Sequence, residues 1–334
     1  MLNIDGQFGL NPAMPQIKAL YDAGKVGILR GVGYPTPTYS HFEALHVWEY
    51  ADPERRVSDG WLGKLLATQQ FDSSGHPLAA CACGESSTPT EMRASNAQVS
   101  VIPSLDAYQV QGGQGRVTAV HDLYQKTPGI YGALFDQSRS VAESGISALH
   151  DSGKYTPAVT YSKQNTVYGS KIDLPSSMQL AAQLIVTQPS VKVIHVVEGG
   201  FDTHQQEDTR HTALLSYVDT AVGAFMKDLE AHGQADRVVL MTWSEFGRRV
   251  AENGSRGTDH GSAAPVLVIG KPVAGGLHGE PPSLTSLVDN GNLKYTTDFR
   301  SVYQTVIRDW LGGDAGSVLG GSFPELPLLR GLAA

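Results

Sequence analysis

Five residues in the second half of the chain have the types and spacing to hold a cation. Asp202 and His204 lie in Glu198-Gly-Gly-Phe-Asp-Thr-His204, Glu245 in Ser244-Glu-Phe-Gly-Arg248, and Asp259 and His260 in Gly257-Thr-Asp-His-Gly261. Carboxylate oxygens and imidazole nitrogens together form a hard-to-borderline metal set. An Asp-x-His pair on one loop can present both donors to one ion, and Gly199-Gly200 before it lets the backbone turn sharply. Asp208 or Thr209 is expected to cap the helix that follows, which leaves Asp202 free. Glu245 ends an apolar strand, where a carboxylate is costly unless it is paired or bound to a cation. Arg248 and Arg249 are the competing partners. Asp259 is either a second ligand or a group that orients the imidazole of His260.

A nucleophile has a candidate too. Ser40-His41 stands where a loop meets a helix, and a hydroxyl there faces backbone N–H groups that attract anions. The competing reading is a capping box, with Glu43 three residues on. Arg248 carries a planar guanidinium suited to developing negative charge on an ester oxyanion. The residue types alone point to a metal-dependent hydrolase. A metal-free serine esterase would use Ser40, Asp202 and His260, but no G-x-S-x-G occurs in the chain.

These residues need a scaffold that gathers loops. Val191–Val197, Arg237–Trp243 and Pro265–Gly270 are apolar runs that read as buried strands, and the Asp259-His260 segment falls between the last two as a loop. Val26–Val32 reads the same way, followed by a helix over Phe42–Tyr50. Met14–Tyr21, Leu174–Ile185, Thr209–His232 and Asp298–Leu311 have helical spacing. Alternating helices and strands predict an α/β fold with a mainly parallel sheet covered on both faces. In such sheets ligands sit beyond the carboxyl ends of the strands. Residues 71–173, rich in Ser, Thr, Gly and Pro, read as an irregular covering region with short helices around 118–150. Gly112-Gly-Gln-Gly115 lacks the Lys-Ser/Thr of a phosphate loop.

The bulk numbers narrow the class. The chain has 334 residues, 41% hydrophobic, and a net charge of −8. That is enough for one large α/β domain, and it argues against a nucleic-acid partner. No apolar run is long enough to span a membrane, and the N-terminus carries no signal-peptide pattern. Cys81 and Cys83 read as two half-buried thiols, too closely spaced for a disulfide with each other.

The motifs also carry a resemblance over nearly the whole chain. Phe8-Gly-Leu-Asn-Pro-Ala13, Gly31-Val-Gly-Tyr-Pro35 with Ser40-His-Phe42, and the three segments around Asp202, Glu245 and His260 resemble a bacterial family catalogued as domain of unknown function 1501. That family is sulfatase-like, within the alkaline phosphatase superfamily. The resemblance implies one alkaline-phosphatase-like three-layer sandwich over residues 1–334. It also implies a bimetal site that hydrolyses phosphate or sulfate esters by in-line attack of a serine or a metal-bound water. By it, Asp202, His204 and His260 correspond to one metal's ligands, Glu245 to the second metal's shell, and Ser40 to the nucleophile. Zinc is the first expectation, with manganese, calcium or magnesium as alternatives, and the substrate is a small anionic ester. The family's export signals imply a periplasmic or secreted protein. One departure is expected: the family's first strand, which ends in an acidic ligand, is missing here, and Asp5 does not replace it. A non-catalytic descendant that binds an anion or a partner is the remaining alternative.

Overall fold

The computed structural model describes residues 1–68, 76–108, 118–119, 122–123, 139–140, 142–149, 155–162 and 173–331. Gly112–Gly115, His121 and His150 lie outside the described residues; of the irregular region's expected helices, 142–149 is the longest helical stretch described. The named elements are, in order, strands β1 (Leu2–Asn3) and β2 (Gly9–Leu10), helix α1 (Pro15–Asp22), strand β3 (Val26–Gly33), and helices α2 (His41–Tyr50) and α3 (Trp61–Leu66). Strands β4 (Ala80–Cys83) and β5 (Ser100–Ile102), helix α4 (Leu174–Thr187), strand β6 (Val193–Val196) and helix α5 (Glu207–Ala231) follow. Strands β7 (Leu240–Met241), β8 (Arg248–Glu252), β9 (Thr258–His260), β10 (Ala264–Ile269), β11 (Gly276–His278) and β12 (Thr297–Asp298) precede helices α6 (Phe299–Thr305) and α7 (Ala315–Leu319).

The architecture is mixed α/β, but the expected mainly parallel sheet is not what forms. In the largest sheet β10 runs antiparallel to both β3 and β7, while β11 and β12 run parallel to β3. Strand β6 is absent from that sheet. It pairs in parallel with β4, which pairs in parallel with β5. An apolar run buried on both faces suits either ladder, so the sequence pattern carries no strand direction. The expected strand over 237–243 shrinks to Leu240–Met241. A 3₁₀ turn at Ala235–Arg237 takes its start, and at its end the Thr242 hydroxyl accepts the Leu267 N–H at 3.0 Å.

Helices cover these sheets. The long α5 packs on α4 and α1 through Tyr217, Val222, Phe225, Met226 and Leu229. Its buried Asp219 accepts the N–H groups of Gln16 at 3.0 Å and Ile17 at 2.7 Å, capping α1 from outside. No side chain caps α5 itself: its N-cap is Gln206, in the left-handed region with φ 50°, and not the expected Asp208 or Thr209. On the other side Trp48, Trp61, Phe299 and Tyr303 stack into one aromatic core. Asp5 sits in the turn between β1 and β2, where its carboxylate accepts from Gln7 and Phe8.

Cys81 and Cys83 are free thiols on β4. Both are 0% exposed rather than half-buried, and burial pushes the Cys81 thiol up to about 12. Among the described residues, no helix is long and apolar enough to cross a membrane.

Candidate metal centre

Four segments meet at one place. The loop after β6 brings Asp202 and His204, the loop after β7 brings Glu245, the β8–β9 hairpin brings Arg248, Asp259 and His260, and the start of α2 brings His41. The hairpin corrects an expectation, because Asp259 and His260 lie on a strand and not in a loop. Asn253 closes its turn. The Asn253 side-chain oxygen accepts from Ser255 at 2.9 Å and Gly257 at 3.1 Å, and its N–H reaches the Gly257 carbonyl at 2.8 Å. The connection spans 253–257 with Arg256 in the left-handed region at φ 57°, so it is not a two-residue Asn-Gly turn. Gly257 has to be glycine, since a side chain there would collide with the His204 backbone. Register then sets Arg248 opposite His260.

Three histidines point the same way. His260 Nδ1 stands 2.7 Å from the Tyr39 carbonyl oxygen, His204 Nδ1 3.2 Å from Asp259 Oδ1, and His41 Nδ1 2.8 Å from Glu245 Oε1. Each of those oxygens accepts, so each Nδ1 donates, and in the neutral ring Nε2 keeps its lone pair. The tautomers follow from these contacts. All three Nε2 atoms face Asp202. His260 Nε2 is 3.0 Å and His204 Nε2 3.1 Å from Oδ1, and His41 Nε2 is 3.4 Å from Oδ2. The two imidazoles themselves approach to 2.9 Å, Nε2 to Nε2. Lone pairs and a carboxylate therefore converge with no donor of their own between them. That arrangement repels itself unless a cation, a proton or a metal, sits among them. His41, Asp202 and His260 offer ligand atoms that all lie within 4.8 Å of one another.

The surroundings tune this cluster. Arg248 donates to Asp202 Oδ1 at 2.6 Å and to the carbonyls of Phe201 and Thr258, each at 2.9 Å. Burial alone would raise the Asp202 carboxyl, but the hydrogen-bonded Arg248 guanidinium outweighs it and holds it at about 2. Asn253, 3.1 Å away, and His204 keep the Asp259 carboxyl below its ordinary value. Phe246 lies buried against His41 and His260, with ring centres 5.0 and 4.3 Å apart, and forms an apolar wall.

The structure thus gathers Asp202, His204, His260 and His41 around one point. Glu245 and Asp259 sit one step out, each on the far nitrogen of a histidine. Glu245 also accepts from Ser244 at 2.9 Å and pairs with neither Arg248 nor Arg249. Arg248 donates three hydrogen bonds, to Asp202 and two carbonyls. Ser40 is the exposed N-cap of α2, yet its side chain makes no capping bond. Glu43 turns instead to the Thr38 hydroxyl at 2.7 Å and to Arg55 at 3.1 Å, so no capping box forms. The Tyr39 carbonyl was invisible in sequence, because any residue type supplies one.

No curated protein matches the chain. The crystal structure of Ps i-CgsB in complex with k-i-k-neocarrahexaose is similar at 12% identity and a TM-score of 0.40, over 93% of this chain and 67% of that one, a likeness too slight to carry an argument. A family model described as "Protein of unknown function (DUF1501)" matches residues 30–306, most of the chain, and the protein belongs to that family.

Proposed function

We propose that the chain is a metal-dependent hydrolase of phosphate or sulfate esters, built as one alkaline-phosphatase-like domain and working in the periplasm or outside the cell. One observation carries the reading: three imidazole Nε2 atoms, each with its Nδ1 anchored, surround the Asp202 carboxylate. Metal-binding histidines behave this way, donating the second nitrogen to a carboxylate or carbonyl that fixes the ring. Zinc fits such a nitrogen-rich set best, while manganese, calcium or magnesium suits one weighted toward oxygen.

A divalent cation held there would act as a Lewis acid toward ester oxygens. The chain's own groups have separate work. Glu245 and Asp259 hold His41 and His204 in register, Arg248 keeps Asp202 ionised, and Phe246 excludes water from one side. Ser40, the exposed residue at the helix start next to His41, is the nucleophile this reading assigns for in-line attack on a phosphorus or sulfur centre. A metal-free serine esterase gains less support. His41 and His260 turn their nitrogens to Glu245, Asp202 and Tyr39, and a base for the Ser40 hydroxyl would have to give these contacts up.

Elemental analysis of the purified protein, with aryl phosphate and aryl sulfate turnover, tests the proposal. The expected result is one or two equivalents of a divalent metal and ester cleavage, both lost in His260→Ala. Cleavage that survives complete metal removal would overturn the metal reading in favour of the serine esterase. Bound metal with no turnover would favour a non-catalytic binding protein.

A further inference from the structure

We propose that Asn292 is a positioning residue for His260, acting through Tyr39; this rests on the metal reading above. Tyr39 is the residue whose carbonyl fixes the His260 ring, and it directly precedes Ser40 and His41. Its position is set from a distant loop. The Asn292 side-chain amide donates to the Tyr39 hydroxyl at 3.0 Å and to the Asp289 carbonyl at 2.6 Å. The Tyr39 hydroxyl in turn donates to Asp289 Oδ2 at 3.2 Å.

The direction of this chain is fixed. The Asp289 carbonyl can only accept, so the NH₂ of Asn292 faces it and the same group faces Tyr39. Asn292 is 0% exposed, and its Oδ1 has no partner among the described residues. A buried amide that leaves one atom unsatisfied is costly, which singles the residue out for what its other atom holds.

The loop is built to present that amide. Asp289, Asn290 and Gly291 take φ of 41°, 63° and 107°, conformations suited to these residue types, and Val288 and Asn292 exchange backbone hydrogen bonds of 2.9 and 2.8 Å. The neighbouring Leu293 carbonyl accepts from the buried Ser262 hydroxyl, two residues after His260. One short segment therefore grips both the acceptor of the His260 ring and the strand end that carries it. Outer partners of a ligating histidine govern metal affinity by about 10- to 100-fold.

Two measurements on the full chain decide the matter: zinc affinity by chelator competition, and exchange of the His260 Nδ1 proton in metal-free, ¹⁵N-histidine-labelled protein. Asn292→Ala and Tyr39→Phe should each weaken zinc binding by about tenfold and speed that proton's exchange, with Ser286→Ala in the same loop unchanged. Tyr39→Phe keeps the ring and the carbonyl, so it decides the question if Asn292→Ala folds poorly. Zinc affinity and proton exchange at wild-type levels in the folded variants overturn the assignment. Wild-type protein that takes up no zinc overturns the metal reading instead. The proton exchange then decides the positioning role alone, faster exchange sustaining it and equal exchange in all proteins overturning it.

Discussion

The clusters around Asp202 and around His195 both set histidine among carboxylates, and they do opposite things. Around Asp202, each of three rings anchors one nitrogen and presents the other inward. At His195 on β6, both nitrogens are spent: Nδ1 lies 2.5 Å from Glu85 Oε1 and Nε2 2.6 Å from Glu91 Oε1. Burial disfavours the imidazolium there, yet the two flanking carboxylates outweigh it and raise the His195 value to about 9. That ring is a closed bridge, charged at neutral pH, with no lone pair left for a metal. The residue types nearly match, so composition does not separate a candidate metal centre from a buried ion bridge. The count of nitrogens left over does.

The contrast can be broken by substitution. Glu91→Ala leaves a buried imidazolium short of a partner and should cost about 3–5 kcal/mol of stability, read by urea denaturation, with zinc affinity unchanged. A loss of zinc binding in that variant would merge the two places into one functional unit. Asp202→Ala should do the reverse, with zinc affinity down by at least about 100-fold in calorimetric titration, more than an outer partner commands, and a smaller loss of stability than Glu91→Ala. Asp259→Asn leaves the ligands in place but removes a charge from His204 Nδ1, and should weaken zinc by about 10- to 100-fold. An unchanged affinity would mean that Asp259 does not orient the ring.

The smallest effect expected is on pH dependence. The folded value of His195 lies above its ordinary 6.5, so the folded state holds the proton more tightly. Its contribution to stability is complete below pH 6.5 and disappears as pH rises through about 9. The urea midpoint should fall across that window in wild type and lose this slope in His195→Gln. Asp202 runs the other way. Its lowered value gives a contribution present above 3.8 and lost as pH falls toward about 2, visible as acid sensitivity absent from Asp202→Ala.

Much of this was legible from residues, and the rest was hidden for definite reasons. The long helix α5 showed itself because its apolar positions recur over many turns, and packing did not move its ends far from the expected 209–232. Strand direction did not show, because an apolar run such as Ala264–Ile269 reads alike in either sense. Asp202, His204 and His260 stood out through residue type and flanking glycines. His41 was proposed beside Ser40 as part of a nucleophile locus. Its partner Glu245 lies 204 residues away, and that distance conceals their pairing. The bridge at His195 gave no signal either, since its partner Glu85 lies 110 residues away. The turn at 288–292 gave no chemical signal, since its contribution is one amide aimed at one hydroxyl.

The two sulfurs of β4 have a practical consequence. Alkylating reagents need a thiolate and a path to it, and Cys81 and Cys83 offer neither while the strand stays paired between β5 and β6. Any labelling of these thiols therefore times the breathing of that sheet. The protein carries its own clock for local opening, readable by mass, in the sheet that also holds the His195 bridge.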